Sequence, residues 1–159
     1  MQSSLAQKIR DGYRDAMFVA GGGGDDVRRL RRQLGDPALA YVERDRLLAA
    51  VIRRYRSEDV RLWGPVLLEL LAPAIMARVA RFSGVPPTID EDDIAQQFLV
   101  EVLVAAATMP LPGEARYVER RLLKRAAFLT TRWLRRENDR QARLAPLAED
   151  PDGDDCGDL

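Results

Sequence analysis

Residues 58–82, EDVRLWGPVLLELLAPAIMARVARF, contain the longest apolar run of the chain and decide its fold. Residues 58–83 are predicted to form one long helix with bends at Pro65 and Pro73, because each proline removes a backbone donor and crowds the preceding turn. Since this helix is apolar on much of its surface, we expect it to be central. Interrupted by Glu69 and Pro73, its apolar run falls short of the roughly 20 residues that a membrane span needs, so we expect no membrane partner.

Working outward, breaker residues and apolar periodicity predict an all-α bundle of about six helices without a convincing strand. Ser3 or Ser4 can cap the first helix, which ends at the glycine run of residues 21–24 that we interpret as a hinge. SGVPPT at residues 83–88 and MPLPGE at residues 109–114 break the chain again. The first helix is amphipathic through Leu5, Ile9, Tyr13 and Met17.

Two further helices are predicted before residue 58. Asp25 and Asp26 place carboxylates at the positive end of a short helix that Gly35 stops. Asp36 is predicted as the N-cap of the next helix, with Pro37 as its first residue. The apolar face of that helix consists of Leu47, Leu48, Val51, Ile52 and Tyr55.

Composition disfavours the common kinds of enzyme. The chain has no histidine, so the commonest general base and the commonest zinc ligand are missing. Its single cysteine, Cys156, lies in a polar segment, which excludes an internal disulfide and disfavours a thiol nucleophile. We therefore predict a non-enzymatic protein without a cofactor or metal. The first residues lack the apolar core of a secretory signal, so we expect a cytoplasmic protein.

A net charge of zero hides a strong segregation along the chain. Residues 114–143 hold ten basic and four acidic residues, whereas residues 149–159 hold six acidic residues and no basic one. Residues 146–159 are interpreted as an acidic, disordered tail. Two roles remain open for it: a solvated segment without a specific contact, or a segment that folds back on the basic helix and lowers non-specific DNA affinity in a salt-sensitive way.

The segment TIDEDDIAQQFLVEVL, residues 88–103, concentrates acidic residues at the start of an apolar helix. Asp90 is a good N-cap, and the carboxylates of residues 91–93 fill the first turn, where the helix dipole favours anions. Capping does not explain the adjacent amides of Gln96 and Gln97. Carboxylates and amides together can make directional contacts with a basic partner surface, so a structural and a binding interpretation both stand.

The last helix has two opposite faces when it is projected at about 100° per residue. One face is apolar and includes Leu129 and Trp133. The opposite face surrounds Phe128 with six cations: Arg121, Lys124, Arg125, Arg132, Arg135 and Arg136. It is either a solvated face whose phenylalanine leans on arginine stems or a DNA-binding surface, since guanidinium groups neutralise phosphates and an aromatic ring stacks on a base for roughly 1–3 kcal/mol.

The acidic and glutamine-containing helix resembles the second conserved region of bacterial RNA polymerase sigma factors, especially the compact extracytoplasmic-function type. The matching pattern is Asp90, Asp93, Ile94 and Gln96, followed by Phe98, Leu99, and Val102 or Leu103. The order of a long apolar helix, this helix and a basic aromatic helix extends the resemblance over roughly residues 60–140.

The resemblance implies a transcription protein that binds core RNA polymerase and promoter DNA. In that family the acidic helix docks on the clamp of the polymerase's largest subunit, which assigns polymerase binding to Asp90, Asp93, Gln96 and Gln97. The basic helix of the family contacts the upstream melted promoter element, which assigns DNA contacts to the six cations and Phe128.

The chain also departs from the family. When the sequences are aligned on residues 134–136, the family's frequent asparagine and aspartate fall at Phe128 and Arg132, so recognition of a standard promoter element is not implied. Residues after Arg143 are too few for the helix-turn-helix of ordinary sigma factors. We therefore expect an N-terminal helical arm over residues 1–56 and a sigma-like domain over residues 57–145. Such a protein either works with a second protein that supplies the missing promoter-reading domain or blocks the sigma site.

Two other functions compete with this interpretation. The protein could be a helical adaptor or dimerisation module without DNA binding, with residues 25–56 as its interface. It could also be a metal-dependent nuclease or nucleotidyl enzyme that uses Asp90, Asp92 and Asp93. The second alternative is disfavoured because three carboxylates on one helical turn point in different directions.

Overall fold

The computed structural model describes residues 2–20, 24–82, 85–111 and 113–144. Within these ranges the chain forms six helices and no strand, which confirms the predicted all-α class. The helices are α1 (Gln2–Ala20), α2 (Gly24–Leu34), α3 (Tyr41–Ser57), α4 (Val60–Val79), α5 (Glu91–Thr108) and α6 (Val118–Leu144). Residues 21–23 of the predicted hinge and the predicted tail at residues 146–159 lie outside the described residues.

The apolar helix α4 is central, as its sequence predicts. It contacts all five other helices, and Pro65 and Pro73 both lie inside it. Asp59 is its N-cap and accepts a hydrogen bond from the backbone amide of Arg61. Hydrogen bonds from the side chain and backbone of Arg61 also lower the pKa of the Asp59 carboxyl from its ordinary value. The fully buried side chains of α4 include Val66, Leu67, Leu71 and Ile75.

By length and composition alone, α4 is also apolar enough to cross a membrane. A helix in the core of a helical bundle can have the same length and apolar composition. In this structure α4 lies among the other five helices and supplies several of their shared core contacts.

One hydrophobic core joins the N-terminal helices to the rest of the bundle. Leu5 of α1, Val27 of α2 and Leu48 of α3 belong to the same buried cluster as Phe98 of α5 and Leu122 of α6. Residues on both sides of the predicted boundary at residue 56 therefore contribute to one core.

Helix α3 stabilises the N-terminal end of α6 and the C-terminal end of α5. The carboxylate of Asp45 accepts hydrogen bonds from the backbone amides of Tyr117, at 2.6 Å, and Val118, at 3.0 Å. At the other end of α3, Arg56 donates to the carbonyl oxygens of Ala106, at 2.7 Å, and Met109. These bonds satisfy backbone groups that a helix leaves unpaired at its ends.

The prediction that Asp36 caps α3 is wrong. Asp36 closes a single turn instead, because its carboxylate accepts from the amide of Ala38 and its carbonyl accepts from the amide of Leu39. Helix α3 begins later, at Tyr41, and its N-cap Ala40 has no side-chain hydrogen bond. An aspartate followed by proline favours a tight turn as well as a helix start, and here the turn forms.

Candidate functional site

Helix α6 packs on the bundle through one face. Its buried residues are Val118, Leu122, Leu123, Ala126 and Thr130. The Thr130 hydroxyl is satisfied because it donates to the carbonyl oxygen of Ala126 at 3.0 Å. Leu129 and Trp133 are half-buried. The apolar face predicted from the sequence is therefore the face that contacts the core.

The opposite side of α6 is exposed, with the ring of Phe128 near its middle at 53% exposure. We call this surface the basic face. Its residues are all exposed: Arg121, Lys124, Arg125, Phe128, Arg132, Arg135 and Arg136. None of its six cations forms an ion pair or hydrogen bond with a residue that the structure describes. The predicted grouping of these residues on one solvent-facing surface is confirmed.

Two guanidinium groups flank the Phe128 ring. The Cζ atoms of Arg125 and Arg132 lie 5.8 Å and 5.9 Å from the ring centroid. Cations at this distance are attracted to the ring by its quadrupole. Phe128 nevertheless remains 53% exposed. The geometry thus fits both interpretations of Phe128, a ring that leans on neighbouring arginines and a ring that stacks on a base.

Two arginines elsewhere in the bundle, Arg31 and Arg44, are used differently. Arg31 pairs with Glu69 at 2.7 Å and lies over the Tyr13 ring. Arg44 pairs with Glu119 at 3.1 Å and donates to the carbonyl oxygen of Leu34. These groups hold helices together, whereas the cations of the basic face have no such structural partner among the described residues.

At the start of α5, two of the acidic residues are held by structural contacts. Asp90 is the N-cap, as predicted, and its carboxylate accepts from the backbone amide of Asp92 at 3.0 Å. Asp92 in turn pairs with Lys8 of α1 at 3.5 Å. Asp93 is exposed, and no described residue is its hydrogen-bond or ion-pair partner. Among the predicted polymerase-binding acids, Asp93 therefore has the freer carboxylate.

The two adjacent glutamines have separate roles. Gln97 is half-buried and donates from Nε2 to Oε1 of Glu101 at 2.8 Å. Glu101 is 9% exposed, so this bond satisfies a buried carboxylate. Gln96 is exposed and makes no hydrogen bond within the described part of the chain. A structural role therefore accounts for Gln97, whereas the described residues give Gln96 no such role.

Two further exposed residues continue the surface of Asp93 and Gln96, and neither is among the binding residues predicted from the sequence. Val100 is 51% exposed and Val104 is 42% exposed. Since residues spaced three and four apart lie on one side of a helix, Asp93, Gln96, Val100 and Val104 form a stripe that we call the α5 face. The spacing is visible in the sequence, but α5 is apolar on several sides, so periodicity alone does not identify the uncovered valines.

The described residues contain no group of three or more carboxylate or thiol side chains placed to hold a metal ion. Asp90 and Asp92 have different partners, one on α5 itself and one on α1. The carboxylates required by the nuclease alternative are thus directed apart.

The fold and these two surfaces define an all-α protein with an exposed basic face on α6 and a polar-to-apolar stripe on the neighbouring helix α5. Comparisons of the chain with protein-family models, with curated proteins and with solved structures find no match.

Proposed function

We propose that this protein is a sigma factor-like transcription regulator that binds core RNA polymerase through the α5 face and promoter DNA through the basic face of α6. The observation that supports it most is the basic face, where six cations without described partners surround an exposed phenylalanine. The proposal describes a cytoplasmic, non-enzymatic protein without a cofactor. A second protein can supply the promoter-reading domain that ordinary sigma factors carry.

The DNA-binding half of the proposal follows from charge and geometry. Along α6, the cations from Arg121 to Arg136 span about 22 Å at 1.5 Å per residue. Each phosphate that they neutralise releases counterions and contributes about −0.7 to the salt slope of single-strand binding. Phe128 lies between Arg125 and Arg132, so a base stacked on its ring would have cations on both sides.

The polymerase-binding half rests on the resemblance of α5 to the sigma family and on its exposed residues. Asp93 and Gln96 supply an acceptor and an amide at one end of the α5 face. Val100 and Val104 supply apolar area at the other end. A stripe that combines polar and apolar groups suits a protein partner better than a purely charged ligand.

Co-purification with core RNA polymerase from a bacterial extract tests this half. We expect the wild-type chain to be retained and the Asp93→Arg/Gln96→Ala variant to be lost. The matched control is Asp11→Arg/Gln7→Ala, which makes the same chemical change at a hydrogen-bonded pair on α1. Equal retention of all three chains would show that the α5 face is not the docking surface.

A helical adaptor is the second candidate, and one observation favours it. Tyr41 and Val42 of α3 are 87% and 50% exposed, and they line a groove with Tyr117. An apolar surface within residues 25–56 suits a protein partner. An adaptor of this kind would bind neither core polymerase nor fluorescently labelled single-stranded DNA, so the two measurements separate the candidates.

A further inference from the structure

The basic face of α6 has an acidic counterpart in the same chain. Helix α6 ends at Leu144, and residues 149–159 follow soon after it in the sequence. We propose that residues 149–159 dock on the basic face of α6 and compete there with nucleic acid. The competition rests on the proposed DNA binding, whereas the contact itself does not.

The charges of the two segments match in number. The basic face presents six cations, and residues 149–159 contain six carboxylates and no basic residue. The carboxylates belong to Glu149, Asp150, Asp152, Asp154, Asp155 and Asp158. Each guanidinium or ammonium group of the face can therefore meet one acidic group without leaving an excess of either sign.

The connection is long enough for the acidic residues to reach the whole face. Measured back from Leu144, Arg136 lies about 12 Å and Arg121 about 35 Å along the helix. A fully extended chain places Glu149 up to about 17 Å and Asp158 up to about 48 Å from Leu144. Both ends of the acidic segment can thus lie opposite the corresponding ends of the face with chain length to spare.

One other arginine-lined groove of the bundle is a poorer site for the acidic segment. A groove between α1, α2, α3 and α4 is lined by Arg10, Arg31 and Arg44. Arg31 and Arg44 already pair with Glu69 and Glu119, respectively. The carboxylates of those partners cancel much of the attraction, so the basic face is the stronger acceptor.

The contact should weaken with salt, because it joins opposite charges and the basic face is exposed. The Debye length falls from about 10 Å at 0.1 M ionic strength to about 3 Å at 1 M. The proposal therefore predicts docking in dilute buffer and release near 1 M salt.

Cys156 allows a direct measurement on the full chain. It is the single cysteine and lies within the acidic segment, so a nitroxide label attaches there alone. Paramagnetic broadening of backbone amide signals then reports which residues lie near the label. The control is a chain with the same label and with the six carboxylates replaced: Glu149→Gln, Asp150→Asn, Asp152→Asn, Asp154→Asn, Asp155→Asn and Asp158→Asn.

We expect amide signals of residues 121–136 to be broadened in dilute buffer and to recover both in 1 M salt and in the control chain. Absence of broadening in dilute buffer, or equal broadening in the control chain, would overturn the proposed contact.

Single-strand DNA binding by the same two chains separates this inference from the proposed function. The control chain should bind about tenfold more tightly in dilute buffer, and the difference should shrink as salt rises. Broadening without DNA binding by either chain would leave the contact standing and contradict the proposed function. Equal DNA affinity of both chains without broadening would contradict the contact and leave the proposed function standing. Equal affinity with broadening would refute the competition between the acidic segment and DNA.

Discussion

Phe128 is a large apolar side chain on the basic face of α6. Its ring is 53% exposed, and two arginines lie close to it. Folding gains little from a side chain left in this position, since apolar groups stabilise a protein mainly through the area removed from water. A residue that contributes little to folding can be replaced with little damage to the fold, which makes Phe128 a clean test of binding.

Replacing Phe128 with alanine should weaken single-strand DNA binding by about 1–3 kcal/mol, because the stacking surface is lost. The free energy of unfolding should change by no more than about 0.5 kcal/mol. Fluorescence anisotropy with a labelled oligonucleotide and urea denaturation measure the two quantities. Phe18→Ala is the matched control, since Phe18 is 88% exposed on α1. Unchanged DNA affinity of the Phe128 variant would show that the ring only supports its neighbouring arginines.

Gln97 shows what sequence alone does not reveal at the scale of one residue. From the sequence, helix capping does not explain the adjacent amides of Gln96 and Gln97, so both are predicted to bind a partner. The structure gives Gln97 an internal role, because Glu101 is buried and needs a donor. Burial of a glutamate on α5 depends on the helices around it, and no local pattern contains that information.

The ends of the helices depend on residues that are distant in sequence. Tyr117 precedes α6 with a φ of 56°, a left-handed conformation that is unfavourable for a residue with a side chain. Asp45 holds this junction through the amides of Tyr117 and Val118. The existence and extent of α6 follow from its periodicity, whereas the partner that caps it requires the folded arrangement of α3 against α6.

Asp45→Ala should lower the free energy of unfolding by about 1–2 kcal/mol, since two backbone donors lose their acceptor. Asp15→Ala is the control, because Asp15 is exposed and makes no hydrogen bond to a described residue. Urea denaturation followed by circular dichroism measures both variants. An Asp45 variant as stable as the Asp15 variant would contradict the capping role.

At the scale of the whole molecule, α1 to α6 share one core. The sequence predicts the number of helices and the central position of α4, because periodicity and apolar length are local properties. The separate N-terminal arm is a less direct prediction. The glycine run at residues 21–24 indicates a break in the chain, but it does not show which residues the preceding helix contacts. In the structure Leu5 and Ile9 of α1 are 5% and 4% exposed within the shared core.

A shared core predicts one cooperative unfolding transition. Leu5→Ala should lower the free energy of unfolding by about 2–5 kcal/mol and shift tryptophan fluorescence and far-ultraviolet circular dichroism together. Val60→Ala, at a side chain that is 55% exposed on α4, should have little effect. A separate early loss of helix signal in the Leu5 variant, with the tryptophan transition unchanged, would show that α1 folds independently of the bundle.

The central claim is that the basic face of α6 binds nucleic acid, and a matched pair of double variants tests it most directly. Arg125→Gln/Arg132→Gln removes two cations that have no ion-pair partner among the described residues. Arg28→Gln/Arg29→Gln removes two exposed cations that pair with Asp25 and Asp26 on α2. Both variants have the same net charge, so a difference between them is local to α6. The measurement is the affinity for labelled single-stranded DNA over a range of salt concentrations.

We expect the α6 variant to bind about tenfold or more weakly in dilute buffer, with a salt slope reduced by about 1.4, and the α2 variant to bind nearly as the wild type does. Equal binding by the two variants, or no binding by the wild-type chain, would contradict a nucleic-acid role for this face.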